Sequence, residues 1–347
     1  QHQLTQGATM NLIRHKSLIT LLGLTTAAML GGFAGCSSSS GDDSSNPADG
    51  GPGDDGSTGD GSPQGDGSTP TDGGTDSGPT AQSTGYVTFS QSNVSVTYSD
   101  NAIAGFYVLP AGYDADCAGY GTITAPTAAS TSCTIKVCTN PISPTDGGTT
   151  PTDAGAVTAP NTGNITLLST LDTAGVVITA GNDGTYTPAT GITQWWTAGD
   201  TAIEVKSAGS STSIPAFDNT GLIGPGDPTA PTIGGTNVAL TGSPAFDRGT
   251  DLAVTYSGGT ASTKVYLSLT TTSTAQKSLL SCSFDAANGE QTVKSADLEM
   301  LQQAGQTGIT GAYTLQGRTS KATTAGDFNF NVVLNSNAHA GTFTNTN

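Results

Sequence analysis

The chain has 347 residues and a formal net charge of −17, with 11% charged and 34% hydrophobic residues. An acidic, sparsely basic surface repels phosphate, which excludes nucleic acid as a partner. Glutamate occurs only at Glu204, Glu290 and Glu299 while Thr, Val and Gly abound, so short strands and turns are favoured over helices.

Residues 1–9 lack targeting character and read as upstream read-through before a start at Met10. Residues 10–35 read as a lipoprotein signal peptide. Arg14, His15 and Lys16 form a basic opening, and Ser17 to Leu30 form an apolar stretch too short and too Gly/Thr-rich to span a membrane. Phe33-Ala34-Gly35-Cys36 resembles a bacterial lipobox, with Phe33 where Leu is usual. The resemblance implies that Cys36 is lipid-modified and becomes the mature N-terminus. Multiple acyl chains attach a protein firmly to a membrane. Ser37 is not the Asp that retains many lipoproteins in the inner membrane, so an outer-membrane location in the cell envelope is expected.

Residues 36–83 are rich in Gly, Ser, Asp and Pro, with nine aspartates and no large apolar residue before Ala81. Such a segment buries too little surface to offset its ordering entropy and is expected to be a disordered tether. As a flexible coil it would span roughly 40 Å. Its Asp-Gly steps lack the nine-residue period of a calcium β-roll and the closing Glu of an EF-hand.

From residue 84 the pattern is that of strands: 86–89, 94–98, 103–108, 133–138, 164–168, 175–179, 194–197, 201–205 and 214–217. Residues 141–160 return to tether-like composition and read as a low-complexity loop. Gly224-Pro225-Gly226-Asp227-Pro228-Thr229-Ala230-Pro231 reads as an extended connector. Beyond it, strands are expected at 237–240, 251–256, 264–269, 280–284, 313–316 and 328–334. One helix is expected over Ser295 to Gln303, with Ser295 as N-cap and Leu298 and Leu301 facing inward. The fold class is therefore all-β: two tandem immunoglobulin-like β-sandwich domains, 84–224 and 232–347, after a signal peptide and a disordered acidic tether.

Besides Cys36 there are four cysteines, Cys117, Cys133, Cys138 and Cys282. An even number in an exported chain points to two disulfides, and four cysteines allow three pairings. Cys133 and Cys138 are an odd number of residues apart, which on a strand turns them to opposite faces. They are expected to pair separately, one with Cys117 and the other with Cys282. No metal site is expected, because the spacing and the supporting histidines of zinc sites are missing.

Chemistry is otherwise sparse. The mature chain has one histidine, His339, in a polar tail and expected at the surface. No nucleophile elbow, phosphate loop or dinucleotide motif is present, so no cofactor is expected. Asp114, Asp116, Asp183 and Asp200 lie at turns, where Asp is favoured for local hydrogen bonding. Trp195 and Trp196 are candidate binding residues: on a strand one ring would face the core and the other solvent, where it could stack on a sugar or anchor a protein. The plainer reading has one ring in the core and the other under a loop.

The Asp-Gly-rich tether, the spaced cysteines, Ala198-Gly199-Asp200, Pro215-Ala216-Phe217, Asp247-Arg248-Gly249-Thr250-Asp251-Leu252 and Leu280-Ser281-Cys282-Ser283-Phe284 resemble surface lipoproteins of myxobacteria and their deltaproteobacterial relatives. The resemblance implies location and β-architecture and brings no activity with it. The expectation is a non-enzymatic, membrane-anchored lipoprotein with an adhesive or envelope-structural role and a protein or glycan partner. A carbohydrate- or ligand-binding module and a cryptic hydrolase are the alternatives.

Overall fold

The computed structural model describes residues 82–94, 97–109, 114–117, 120–127, 132–141, 159–181, 184–187, 189–191, 193–210, 214–239, 242–273, 275–301 and 308–346. Cys36, the signal segment, the tether up to residue 81, Asp183 and nearly all of loop 141–160 lie outside them, while the last two residues assigned to the tether, Gln82 and Ser83, open a strand.

The first half of the chain supplies β1 (Gln82–Ser90), β2 (Asn93–Val94), β3 (Thr97–Tyr98), β4 (Asp100–Leu109), β5 (Tyr120–Thr127) and β6 (Cys133–Pro141). After these come β7 (Ile165–Leu168), β8 (Val176–Ala180), β9 (Tyr186–Thr187), β10 (Ala189–Gly191), β11 (Ile203–Ser207) and β12 (Phe217–Leu222). The second half supplies β13 (Thr229–Ile233), β14 (Thr236–Asn237), β15 (Ala245–Phe246), β16 (Leu252–Ser257), β17 (Lys264–Thr272), β18 (Gln276–Asp285) and β19 (Glu290–Val293). The helix α1 (Ser295–Glu299), β20 (Thr310–Ala325), β21 (Phe328–Asn335) and β22 (His339–Asn345) complete it.

Period-two burial drives the long strands. Leu252, Val254 and Tyr256 of β16 are buried, as are Val265, Leu267 and Leu269 of β17, while their neighbours face outward. These rows need covering on one face, and two sheets provide it. A sheet ordered β14-β13-β16-β19 packs on the half of an eleven-stranded sheet formed by β22, β20, β17, β18 and β6. A sheet ordered β12-β11-β7-β8-β9 packs on the other half, where β4, β1 and β21 lie. The result is two β-sandwiches that share one continuous sheet.

The second sandwich has an immunoglobulin-like topology. β13, β16 and β19 form one face; β18, β17, β20 and β22 form the other, with β15 joining β22 in parallel. α1 is the crossover between β19 and β20. It is shorter than the helix expected to Gln303, and Ser295 lies inside it rather than capping it. The Ser295 N–H is instead taken by Asp251 Oδ1 from a distant turn, at 2.9 Å. Leu298 and Leu301 do face the core.

Two expectations about organisation need correction. The first concerns the split into sequence-contiguous domains 84–224 and 232–347. β5 and β6, from the first half of the chain, extend the second sandwich beyond β18. The far end of β20 and all of β21, from the second half, sit in the first sandwich, where β21 lies parallel to β1. Sixteen residues long, β20 belongs to both: Gly311 to Arg318 pair with β17, and Arg318 to Ala325 pair with β21. Strand pairing is non-local, and periodicity reveals a strand's faces but not its partners. The second correction concerns the connector. Its last residues, Thr229 to Pro231, belong to β13, and Pro231, which has no N–H to give, falls where the register shifts between Thr229 and Thr232.

Candidate functional site

The disulfides pair as Cys117–Cys138 and Cys133–Cys282. Both start from β6, on opposite faces, as the odd spacing requires. Cys133 and Ile135 point into the second core, where Cys133 meets Cys282 directly across the strand pair β6–β18. Thr134, Lys136 and Cys138 take the outer face. There a short 3-10 turn, Ala115–Cys117, folds back over β6 and is pinned by the Cys117–Cys138 bridge.

That turn creates a dense, buried polar cluster. Lys136 and Asp116 are 5% and 6% exposed. Lys136 Nζ lies 2.5 Å from Asp116 Oδ2 and 2.9 Å from Asp114 Oδ2. Asp114 Oδ1 also accepts the Asp116 N–H at 2.9 Å, the local turn bond expected of these aspartates. Lys277, opposite Cys138 on β18, donates its Nζ to the Asp116 carbonyl at 2.6 Å. Burial pushes the Asp116 carboxyl above its ordinary range, with the Lys136 hydrogen bond and charge opposing. Burial pulls Lys136 down, but its hydrogen bonds to Asp114 and Asp116 and their charges hold it above its ordinary value. Burying such a pair costs several kcal/mol of desolvation per ion, of order, so its geometry has to be good to survive.

The tryptophan pair is elsewhere and differs from expectation. Trp195 and Trp196 are 2% and 0% exposed, and neither lies on a strand. No ring is offered to a sugar or a protein partner. The cause is Gln91, whose Oε1 accepts both the Trp195 and Trp196 N–H groups at 2.8 and 3.0 Å. Its Nε2 donates to the Trp196 carbonyl at 3.1 Å. A side chain thus replaces a strand partner, the alternation of faces lapses, and both rings turn into the first core. Trp195 meets Phe89 edge-on, with ring centroids 6.1 Å apart.

His339 is buried, not on the surface. Its Nδ1 and Nε2 face the backbone carbonyls of Ala239 and Pro228 at 2.7 and 2.9 Å. The ring is thus held between two backbone carbonyls rather than offered to solvent. Asp200 accepts the Thr170 Oγ1–H and N–H at 2.7 and 3.1 Å and the Ala202 N–H at 2.9 Å. Burial alone would raise its pKa, but these bonds outweigh it and hold the carboxyl below its usual range. Among the described residues no group of three or more His, Cys, Asp or Glu is placed to hold a metal ion, and no helix is long and apolar enough to cross a membrane.

No family model matches this chain, and no curated protein matches it. Among solved structures it is similar to the chicken CNTN1 FN1-FN3 domains, at 8% identity, a TM-score of 0.17 and 63% coverage of this chain. The match spans 66% of that protein's chain. At that level of superposition it adds nothing to the strand topology described above. What stands out is a corner: an amine, two carboxyls and a disulfide locked on the outer face of β6. Sequence reasoning named its two cysteines and two aspartates but missed Lys136. The signal was there, since a Lys on the same strand face as a paired cysteine must be covered by whatever that cysteine holds down.

Proposed function

We propose that this chain is a lipid-anchored bacterial envelope protein of the myxobacterial type, displaying a stiff pair of β-sandwiches in a non-enzymatic, adhesive or envelope-structural role. The observation that carries the reading is the order of the leading segments. A basic opening, an apolar stretch, Phe33-Ala34-Gly35-Cys36 and a tether with nine aspartates follow one another as an exported, anchored protein requires. Two disulfides support it, because such bonds persist in oxidising compartments. The engagement of both His339 nitrogens and the burial of both tryptophans support a role in display over hydrolysis or sugar stacking.

The test is expression of the full chain in a lipoprotein-processing bacterium with a labelled fatty acid. Wild type should carry the label and fractionate with the outer membrane. Cys36→Ala should lose the label, and globomycin should cause the precursor to accumulate. A Cys36→Ala protein that still partitions with membranes would sink the anchor. Cells displaying the wild type should also adhere or aggregate more than cells making Cys36→Ala; equal behaviour would sink the adhesive role.

A further inference from the structure

We propose that Lys136 and Asp116 condense into an intramolecular isopeptide bond, with Asp114 relaying one proton. The three groups are already in contact, amine against carboxyl. Lys136 Nζ is 2.5 Å from Asp116 Oδ2, and the second carboxylate, Asp114, stands 2.9 Å from the same nitrogen. Both reacting groups are about nine-tenths or more buried, so water, the product and competing nucleophile, is largely kept out. They are held from three directions: Lys136 by the β6 ladder, the turn by the Cys117–Cys138 bridge, and Asp116 by the Lys277 ammonium on its carbonyl. Holding two reactants in contact in this way supplies a large part of a bimolecular barrier.

The step balances without any further reactant. The ammonium of Lys136 loses one proton to Asp114, which passes it to Asp116, and the freed amine attacks Cγ of the neutral carboxyl so formed. A C–N bond forms and a C–O bond breaks. The departing oxygen leaves as water, carrying two protons that came from the ammonium, one of them by way of Asp114. An amide replaces an ammonium and a carboxylate, so the site no longer holds the charges whose burial was costly. The upward push that burial gives Asp116 favours the neutral carboxyl, which is the better electrophile. The bond would close nearly the same loop as the Cys117–Cys138 bridge, and it would survive a reductant.

The experiment uses the full chain, purified oxidised, then reduced, alkylated and cleaved with chymotrypsin. Cleavage after Tyr120 separates Asp116 from Lys136, so unlinked protein yields two independent peptides. Linked protein yields one branched species whose mass is the sum of the two less one water, and trypsin fails to cut after Lys136. Lys136→Arg keeps the ion pair but cannot form the amide, and it should abolish the branched species while the near-ultraviolet dichroism is preserved. Asp114→Asn should abolish it or slow its appearance at least tenfold. Separate peptides and normal tryptic cleavage in the wild type would reduce the corner to a buried salt bridge and overturn the proposal. A fully linked Asp114→Asn protein would remove the relay role and leave the bond.

Discussion

At the scale of single residues, Asp100 shows how burial sets a pH response. It opens β4 and is 3% exposed. Its Oδ1 accepts the Ser92 N–H at 3.2 Å, while Oδ2 is buried and meets no hydrogen-bond partner among the described residues. Burial pushes its pKa up to about 7, and the Ser92 bond opposes this only weakly. The folded value lies above the unfolded one, so between them the unfolded chain ionises and the folded chain does not. Stability therefore falls as pH rises through that window, and the loss is complete above the folded value. Asp100→Asn keeps the Oδ1 acceptor and removes the charge. Urea unfolding from pH 4 to 8 should show a declining curve for the wild type and a flatter one for the variant. At pH 8 the variant should be the more stable by on the order of 2–4 kcal/mol. A variant that is less stable at pH 8 would contradict this. Asp200 behaves oppositely: its folded value is depressed, and its contribution is lost only as pH falls below the unfolded carboxylate range.

At the scale of elements, β6 is where the two disulfides meet, and they are not equivalent. Cys133–Cys282 joins residues 149 apart in sequence, and Cys117–Cys138 joins residues 21 apart. By loop-closure entropy the longer bridge is worth about 5 kcal/mol and the shorter about 3. Replacing Cys133 and Cys282 together with Ser should lower the denaturation midpoint more than replacing Cys117 and Cys138, in parallel urea titrations. Equal losses would show that the bridges act through local packing, not chain closure. β6 is also the element most legible in the sequence, since Cys133 to Cys138 fixes both its strand character and its two faces. β20 was far less so. Its reading stopped at Gln316 because Gly317, Arg318 and Lys321 interrupt the apolar alternation. The strand continues there because Gly317 lies under the Gly226 carbonyl, where a Cβ would come within 2.1 Å of the oxygen. Arg318 lies over the Tyr266 ring, 3.7 Å from its centroid. β10 and β15 were missed because two or three residues carry too little pattern to read, and β5, β19 and β22 were missed because their Thr-, Gly- and polar-rich sequences carry few large apolar residues. The tryptophans were misplaced because Gln91, 104 positions before Trp195, decides their conformation.

At the scale of the molecule, the shared sheet makes the two sandwiches one cooperative unit. Gln91 N–H bonds to the Asn335 carbonyl at 2.9 Å, Thr319 Oγ1 to the Ile223 carbonyl at 2.7 Å, and Asn337 N–H to Asp227 Oδ1 at 2.8 Å. These bonds knit strand, connector and hairpin together at the crossing. Both tryptophans lie in the first core, so their fluorescence reports that half, while far-ultraviolet dichroism reports all the strands. The two signals should change together on unfolding. Gly317→Val would force its side chain against the Gly226 carbonyl and should lower both midpoints together, with a loss of stability of about 3 kcal/mol. Two separated transitions in the wild type would mean that the halves fold independently.

The position of β1 bears on how the molecule would carry a load. Gln82 opens the strand, and from Thr84 onward it is paired on both sides, to β4 antiparallel and to β21 parallel. A pull entering at Gln82 therefore runs along the strand and strains those two rows of bonds at once, as in shear, and does not peel them one by one as at a sheet edge. Because β21 continues from β20, the force passes straight into the strand common to both cores. Rupture under tension is set by the rate of unfolding rather than by equilibrium stability. An arrangement that must break many bonds together resists such a pull, and it would serve the anchored role proposed above.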